Sequence, residues 1–129
     1  MERQLKPSAA AWFEIPCVDL DRAKLFYETI LGCRMNKDDF GDAGDVMCVF
    51  PAERGGVSGA LVKRASQQPS SNGTMVYLNC DGELDGTIAR VPGAGGKILL
   101  KRTTVPGGFG AFACFKDSEG NHVGIHTSI

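Results

Sequence analysis

Histidine is scarce in this 129-residue chain. There are two, His122 and His126, both near the C-terminus. Strand alternation puts them on one face about 13 Å apart, too far to hold one ion together. The five cysteines (Cys17, Cys33, Cys48, Cys80, Cys114) are widely spaced and contain no C-x-x-C pair. That excludes the usual zinc and thioredoxin-like patterns and points to reduced structural thiols. No apolar run exceeds about five residues, far short of a membrane span. Met1 to Pro7 carry no apolar core of a secretory signal, so a cytoplasmic location is expected. Fourteen Lys and Arg against fifteen Asp and Glu leave a net charge of −1. They are scattered, without the basic stripe that nucleic-acid binding requires.

What is present is a soluble chain of one domain's length, 43% hydrophobic and 22% charged. Ala10 to Cys17 reads as a strand, with Trp12 and Glu14 on one face and Phe13 and Ile15 on the other; Pro16 suggests an edge or a terminus. Asp19 caps a helix running through Arg22 to Leu31. Its apolar face is Leu20, Ala23, Phe26, Tyr27, Ile30 and Leu31, and Gly32 ends it. Cys33 to Asn36 opens a second strand, and Asp38 to Asp45 reads as a polar turn or loop. Val46 to Phe50 and Val57 to Lys63 are further strands. Gly59 marks a bulge or a close approach to the backbone. Residues 65–72 form a polar linker.

The pattern then restarts. Thr74 to Cys80 is a strand, and Glu83 to Val91 a short helix expected to be cut by Pro92. Lys97 to Thr104, Ala111 to Phe115 and His122 to Thr127 are strands, the last two joined by a turn at Asp117 to Asn121. A shift of 64 residues aligns Leu20-Asp21 with Leu84-Asp85 and Gly32 with Gly96. The fold class expected is α+β: one domain over 1–129 made of two tandem β-α-β-β-β modules, 10–64 and 73–127. Each helix covers one face of its sheet. The other sheet faces must be joined, leaving a cleft between modules or between subunits.

These elements resemble the vicinal oxygen chelate group, the glyoxalase, bleomycin-resistance and extradiol-dioxygenase relatives. The likeness rests on the W-F-E-I-P start at Trp12, R-A-x-x-F-Y-x-x-x-L-G from Arg22 to Gly32, G-G-K at Gly95 to Lys97, and D-x-x-G-N from Asp117 to Asn121. It covers roughly residues 10–127. In metal-using members four His or Glu side chains, two per module, hold a divalent ion. Carried over by motif, those positions fall on Trp12, Met75, Gly124 and Gly59 or Ala60. None offers a ligand to a hard or borderline metal, and Met is a soft, weak donor. The resemblance also implies that the mixed sheets curl into a cup, and it implies a homodimer.

The leading expectation is a cup that encloses a small, partly apolar organic molecule without a metal cofactor. Its candidate lining is Trp12, Glu14, Met75, Tyr77 and His126. Whether the protein is an enzyme is left open. If it is, lyase or isomerase chemistry would use Glu14 as base, its carboxyl raised by burial beside an aromatic. Two alternatives stand: a metal-dependent glyoxalase-like enzyme or dioxygenase whose ligands are misregistered, or a non-catalytic dimeric module in which Trp12 and Met75 fill the cup. A Glu14–His126 metal pair across the cup is a further possibility. Arg22 and Lys24 are expected at the surface and Lys101-Arg102 at a solvated strand end. The Pro106-Gly107-Gly108 loop reads as a lid or an ordinary hairpin connection.

Overall fold

The computed structural model describes residues 4–39 and 46–128. It contains β1 (Trp12–Pro16), α1 (Leu20–Leu31), β2 (Asn36–Asp39), β3 (Val46–Val49), β4 (Ser58–Lys63), β5 (Tyr77–Asn79), α2 (Leu84–Ala94), β6 (Lys97–Thr104), β7 (Ala111–Lys116) and β8 (His122–Thr127). The strands form two four-stranded mixed sheets, ordered β1-β4-β3-β2 and β5-β8-β7-β6. In each, the first strand pairs parallel with the last and the remaining pairs are antiparallel. This is the doubled β-α-β-β-β order anticipated above. β1, with Pro16, is a sheet edge.

Helix α1 begins where a carboxylate can satisfy an orphan amide. Asp19 is extended (φ −115°, ψ 103°) and its side chain accepts from the Arg22 N–H. Gly32, at φ 63°, closes the helix in a left-handed turn that a Cβ would strain. Leu20, Ala23, Phe26, Tyr27 and Ile30 are buried, while Leu31 is half-buried at the edge of the stripe. Burying each large apolar group of this face stabilises the fold by about 1.5–3 kcal/mol. The core they enter is shared between modules: Ile15, Phe26 and Tyr27 from the first pack in one cluster with Leu78, Phe115 and Ile125 from the second.

Four expectations need correction. Pro92 does not cut α2, which runs to Ala94. Proline removes one amide near the helix end, and Gly95 and Gly96 still donate to the Pro92 and Val91 carbonyls. Gly95, not Gly96, is the left-handed cap equivalent to Gly32. Gly96 is glycine for another reason: a Cβ there would lie 2.7 Å from the Lys116 carbonyl and 2.7 Å from the Phe26 ring. The strand expected at Thr74 to Cys80 shrinks to Tyr77–Asn79. In the register of β5 with β8, Met75 falls opposite His122, where the partner chain leaves the ladder for the turn. Finally, Asp38 and Asp39 belong to β2 rather than to a loop; residues 40–45 of that expected loop lie outside the described residues.

Candidate functional site

The equivalence of the modules fixes the positions that matter. The Cys17 N–H donates to the Val62 carbonyl at 3.0 Å, and the Cys80 N–H to the His126 carbonyl at 2.7 Å. First strands therefore correspond by an offset of 63 residues (Cys17 against Cys80) and last strands by 64 (Val62 against His126). The helix caps Gly32 and Gly95 still differ by 63, so the net extra residue lies after α2. By these offsets Trp12 matches Met75, Glu14 matches Tyr77, and Ala60 matches Gly124.

Those pairs contain the four positions at which the resemblance places metal ligands: Trp12, Ala60, Met75 and Gly124. An indole, a methyl, a thioether and a bare backbone do not fit a hard or borderline ion. The Gly124 position is also occupied from above. A Cβ there would collide with the Tyr77 ring, which meets Phe112 edge-on at 5.9 Å and closes over the buried Cys114. Among the described residues no group of three or more His, Cys, Asp or Glu is placed to hold an ion. Glu14 and His126 each have other partners. Glu14 pairs with Arg64 at 2.7 Å, and His126 Nε2 lies 2.7 Å from the Phe109 carbonyl. That second contact helps hold the Val105 to Gly110 segment as a closed hairpin turn, with the Val105 N–H bonded to the Gly110 carbonyl.

Two cavities open where residues of the two modules meet, both lined in part by Phe13 and Val76. One, of about 410 Å³, is lined by Trp12, Glu14, Ile15, Gln67, Ser70, Asn72, Val76, Asn121 and His122 among others. Two of its lining residues, Trp12 and Glu14, belong to a polar chain. Trp12 Nε1 donates to Glu14 Oε2 at 3.2 Å, and Arg64 Nη1 donates to Glu14 Oε1 at 2.7 Å and to Gln67 Oε1 at 3.4 Å. Glu14 is thus paired with a guanidinium, an arrangement unlike the carboxyl beside an aromatic alone that would suit a base. The lining is mixed rather than mostly apolar. The other cavity, of about 840 Å³, includes Tyr77. Met75 and His126 line neither of these two.

Arg64 and the linker residues Gln67, Ser70 and Asn72 were not anticipated. A signal for Arg64 existed: Glu14 pairs with Ala60, and alternation from Ala60 through Val62 brings Arg64 to the same face. The Asp117 to Asn121 turn was also underread. Glu119, its side chain fully buried, accepts from the Val18 and Asp19 amides at 2.9 and 2.8 Å and pairs with Arg22 Nε at 2.7 Å. It thus places a negative charge at the N-terminus of α1. Arg22 is half-exposed as expected, but it is engaged. Asp117 accepts from Tyr27 Oη at 2.6 Å, and Asn121 Nδ2 donates to the Pro16 carbonyl at 2.7 Å. The second module's closing turn therefore clamps the first module's strand and helix, and it brings Asn121 and His122 to the cleft. Burial pushes Glu119 up, but Arg22, the two amides and Ser118 together outweigh that and leave it below the ordinary carboxylate value. Burial pushes the Cys17 thiol up to about 12. All five cysteines are free.

A model of the Glyoxalase/Bleomycin resistance protein/Dioxygenase superfamily matches residues 9–125. The chain belongs to that superfamily. Among solved members, a glyoxalase/bleomycin resistance protein from Streptomyces sp. CB03234 is 26% identical, with a TM-score of 0.69 over 92% of this chain and 99% of that one. TnmS3, an antibiotic binding protein from the same organism, is 25% identical, with a TM-score of 0.68 over 98% and 100%. A glyoxalase I mutant from Zea mays, 24% identical at a TM-score of 0.69, shares the fold; 97% of this chain spans 48% of that one. A comparison with curated proteins finds no match. No helix among the described residues is long and apolar enough to cross a membrane.

Proposed function

We propose that this superfamily member binds a small organic molecule in the cleft between Trp12, Glu14 and the 65–72 linker, without a metal ion. The observation that carries this reading is the open cavity of about 410 Å³ beside Trp12 and Glu14, which lies within the size range of small-molecule sites. Trp12, 44% exposed, offers a flat apolar face. Glu14, Gln67, Ser70 and Asn72 offer hydrogen-bonding groups at its margin. The carboxylate is already balanced by Arg64, so the ligand is an uncharged molecule with an apolar ring body and polar substituents. In this reading Glu14 orients the ligand by accepting a hydrogen bond; as a base it would first have to part from Arg64. TnmS3, an antibiotic binding protein of the same size and fold, is consistent with sequestration.

A homodimer accompanies this proposal. Tyr77 and Leu100 are 50% and 41% exposed. They pair with Gly124 and Cys114 across the sheet face opposite the shared core, and a second copy of the chain would cover them. The binding claim is tested by thermal-shift screening of uncharged polycyclic aromatic compounds, because a ligand that binds only the folded state raises apparent stability. Hits should lose their effect in Trp12→Ala. Hits that stabilise Trp12→Ala equally would overturn the site. Stoichiometric zinc, nickel, manganese or iron retained through dialysis would overturn the metal-free reading.

A further inference from the structure

The second seam cavity differs in chemistry from the first although the two are built alike. The internal duplication relates them: β1 with the start of β8 lines one, and β5 with the start of β4 lines the other. The second is twice as large, about 840 Å³, and its walls are more apolar, with Phe13, Leu31, Phe50, Val57, Val76 and Tyr77. Three carboxylates, Glu53, Asp81 and Glu83, stand among its lining residues, which include no Lys or Arg. Asp81 accepts from the Ser128 amide at 2.7 Å and stays below the ordinary carboxylate value through that bond. Glu83 stands at the N-cap of α2 without a side-chain capping bond. Among the described residues neither Glu53 nor Glu83 has an ion-pair partner. The partial positive end of α2 offsets about half of one charge, so the rim stays negative.

We propose that this cavity, which adjoins the Trp12 cleft at Phe13 and Val76, is a second binding site and that it takes an amphipathic organic cation. An aromatic or aliphatic body would fill the space between Phe13, Phe50 and Val76. An ammonium or amidinium group would lie on the side of the cavity lined by Asp81 and Glu83, with Glu53 adding negative charge to the same lining. The inference stands on the apolar cavity and does not depend on the Trp12 cleft being occupied. The rim charges set the sign of the ligand.

The chain's single tryptophan, Trp12, lines only the first of the two cavities, which separates the two sites in solution. The test is calorimetric titration of the intact protein with benzyltrimethylammonium and with its uncharged tert-butyl analogue, while Trp12 emission is followed in parallel. The cation should bind saturably and more tightly than the analogue, without changing Trp12 emission. Its affinity should fall roughly tenfold in Glu53→Gln/Glu83→Gln, since each lost charge removes an attraction of the order of a factor of several at a partly exposed rim. It should fall also with added salt. Both replaced side chains are exposed, and an unchanged thermal midpoint checks that the variant folds. Equal binding of cation and analogue, no saturable binding, or an unaltered affinity in the double variant overturns the proposal. So does a cation-induced change in Trp12 emission. Failure of the Trp12 cleft to bind any compound would leave these outcomes untouched.

Discussion

Glu119 shows how much one side chain of the closing turn holds. It is buried, pairs with Arg22, and caps the start of α1 about a hundred residues earlier in the chain. Glu119→Gln keeps the shape but removes the charge, and should lower stability by about 1.5–3 kcal/mol, the range for hydrogen bonds to charged groups. Chemical denaturation at pH 7 measures this. The pH dependence has a definite sign. Because the folded-state value is depressed, the unfolded chain binds more protons in the window between the two values. The stabilisation is complete above the ordinary glutamate value of about 4.3 and is lost as pH falls through the folded value. The gap between the native protein and Glu119→Gln should therefore narrow from pH 6 towards pH 3; a gap that widened would contradict the assignment. Tyr27→Phe, which leaves Asp117 short of its 2.6 Å donor, should lose about 1.5–3 kcal/mol for the same reason.

Elements were legible where a local rule and the tertiary demand agreed. The Asp19 cap, the Gly32 stop and the periodic face of α1 follow from the sequence, and so does the doubled order of strands. Pro92 misled because the Gly95 and Gly96 amides beyond it still close the helix onto the Pro92 and Val91 carbonyls. Met75 misled because strand length depends on where the partner stops, which no local pattern records. Close approaches were half legible. Gly59 was flagged, and a Cβ there would sit 2.5 Å from the Phe13 ring and carbonyl. Gly96 and Gly124 carry the same constraint without a local signal, because Phe26 and Tyr77 reach them from other elements. Gly96→Ala should destabilise by about 1–3 kcal/mol through overpacking against the Lys116 backbone, read as a lower thermal midpoint; Gly93→Ala, where a Cβ meets nothing within 4 Å, serves as the control.

At the scale of the whole molecule, the two modules share a core, a clamp and a seam. Sequence placed Trp12 and Glu14 on one face of β1, but the pairing of Arg64 with Glu14 and the place of the linker at the cleft follow only from tertiary structure. Tyr77 was assigned to the same pocket and lies in the other, since the pseudo-symmetric arrangement places the matching positions Glu14 and Tyr77 in different cavities. The residue types at the positions where the resemblance expects metal ligands, by contrast, are read directly from the sequence. If a second copy covers the exposed sheet face, sedimentation should give twice the chain mass, and Leu100→Glu should shift it towards the monomer. The central claim is occupancy of the Trp12 cleft, and the chain's single tryptophan reports on it directly. Titration with compounds that raise the thermal midpoint should produce a saturable change in Trp12 emission, with a dissociation constant matching the stabilisation; at a hundredfold excess over that constant the gain is about 2.7 kcal/mol. Uncharged polycyclic compounds that raise the thermal midpoint yet leave Trp12 emission unchanged would contradict the assignment of this cleft.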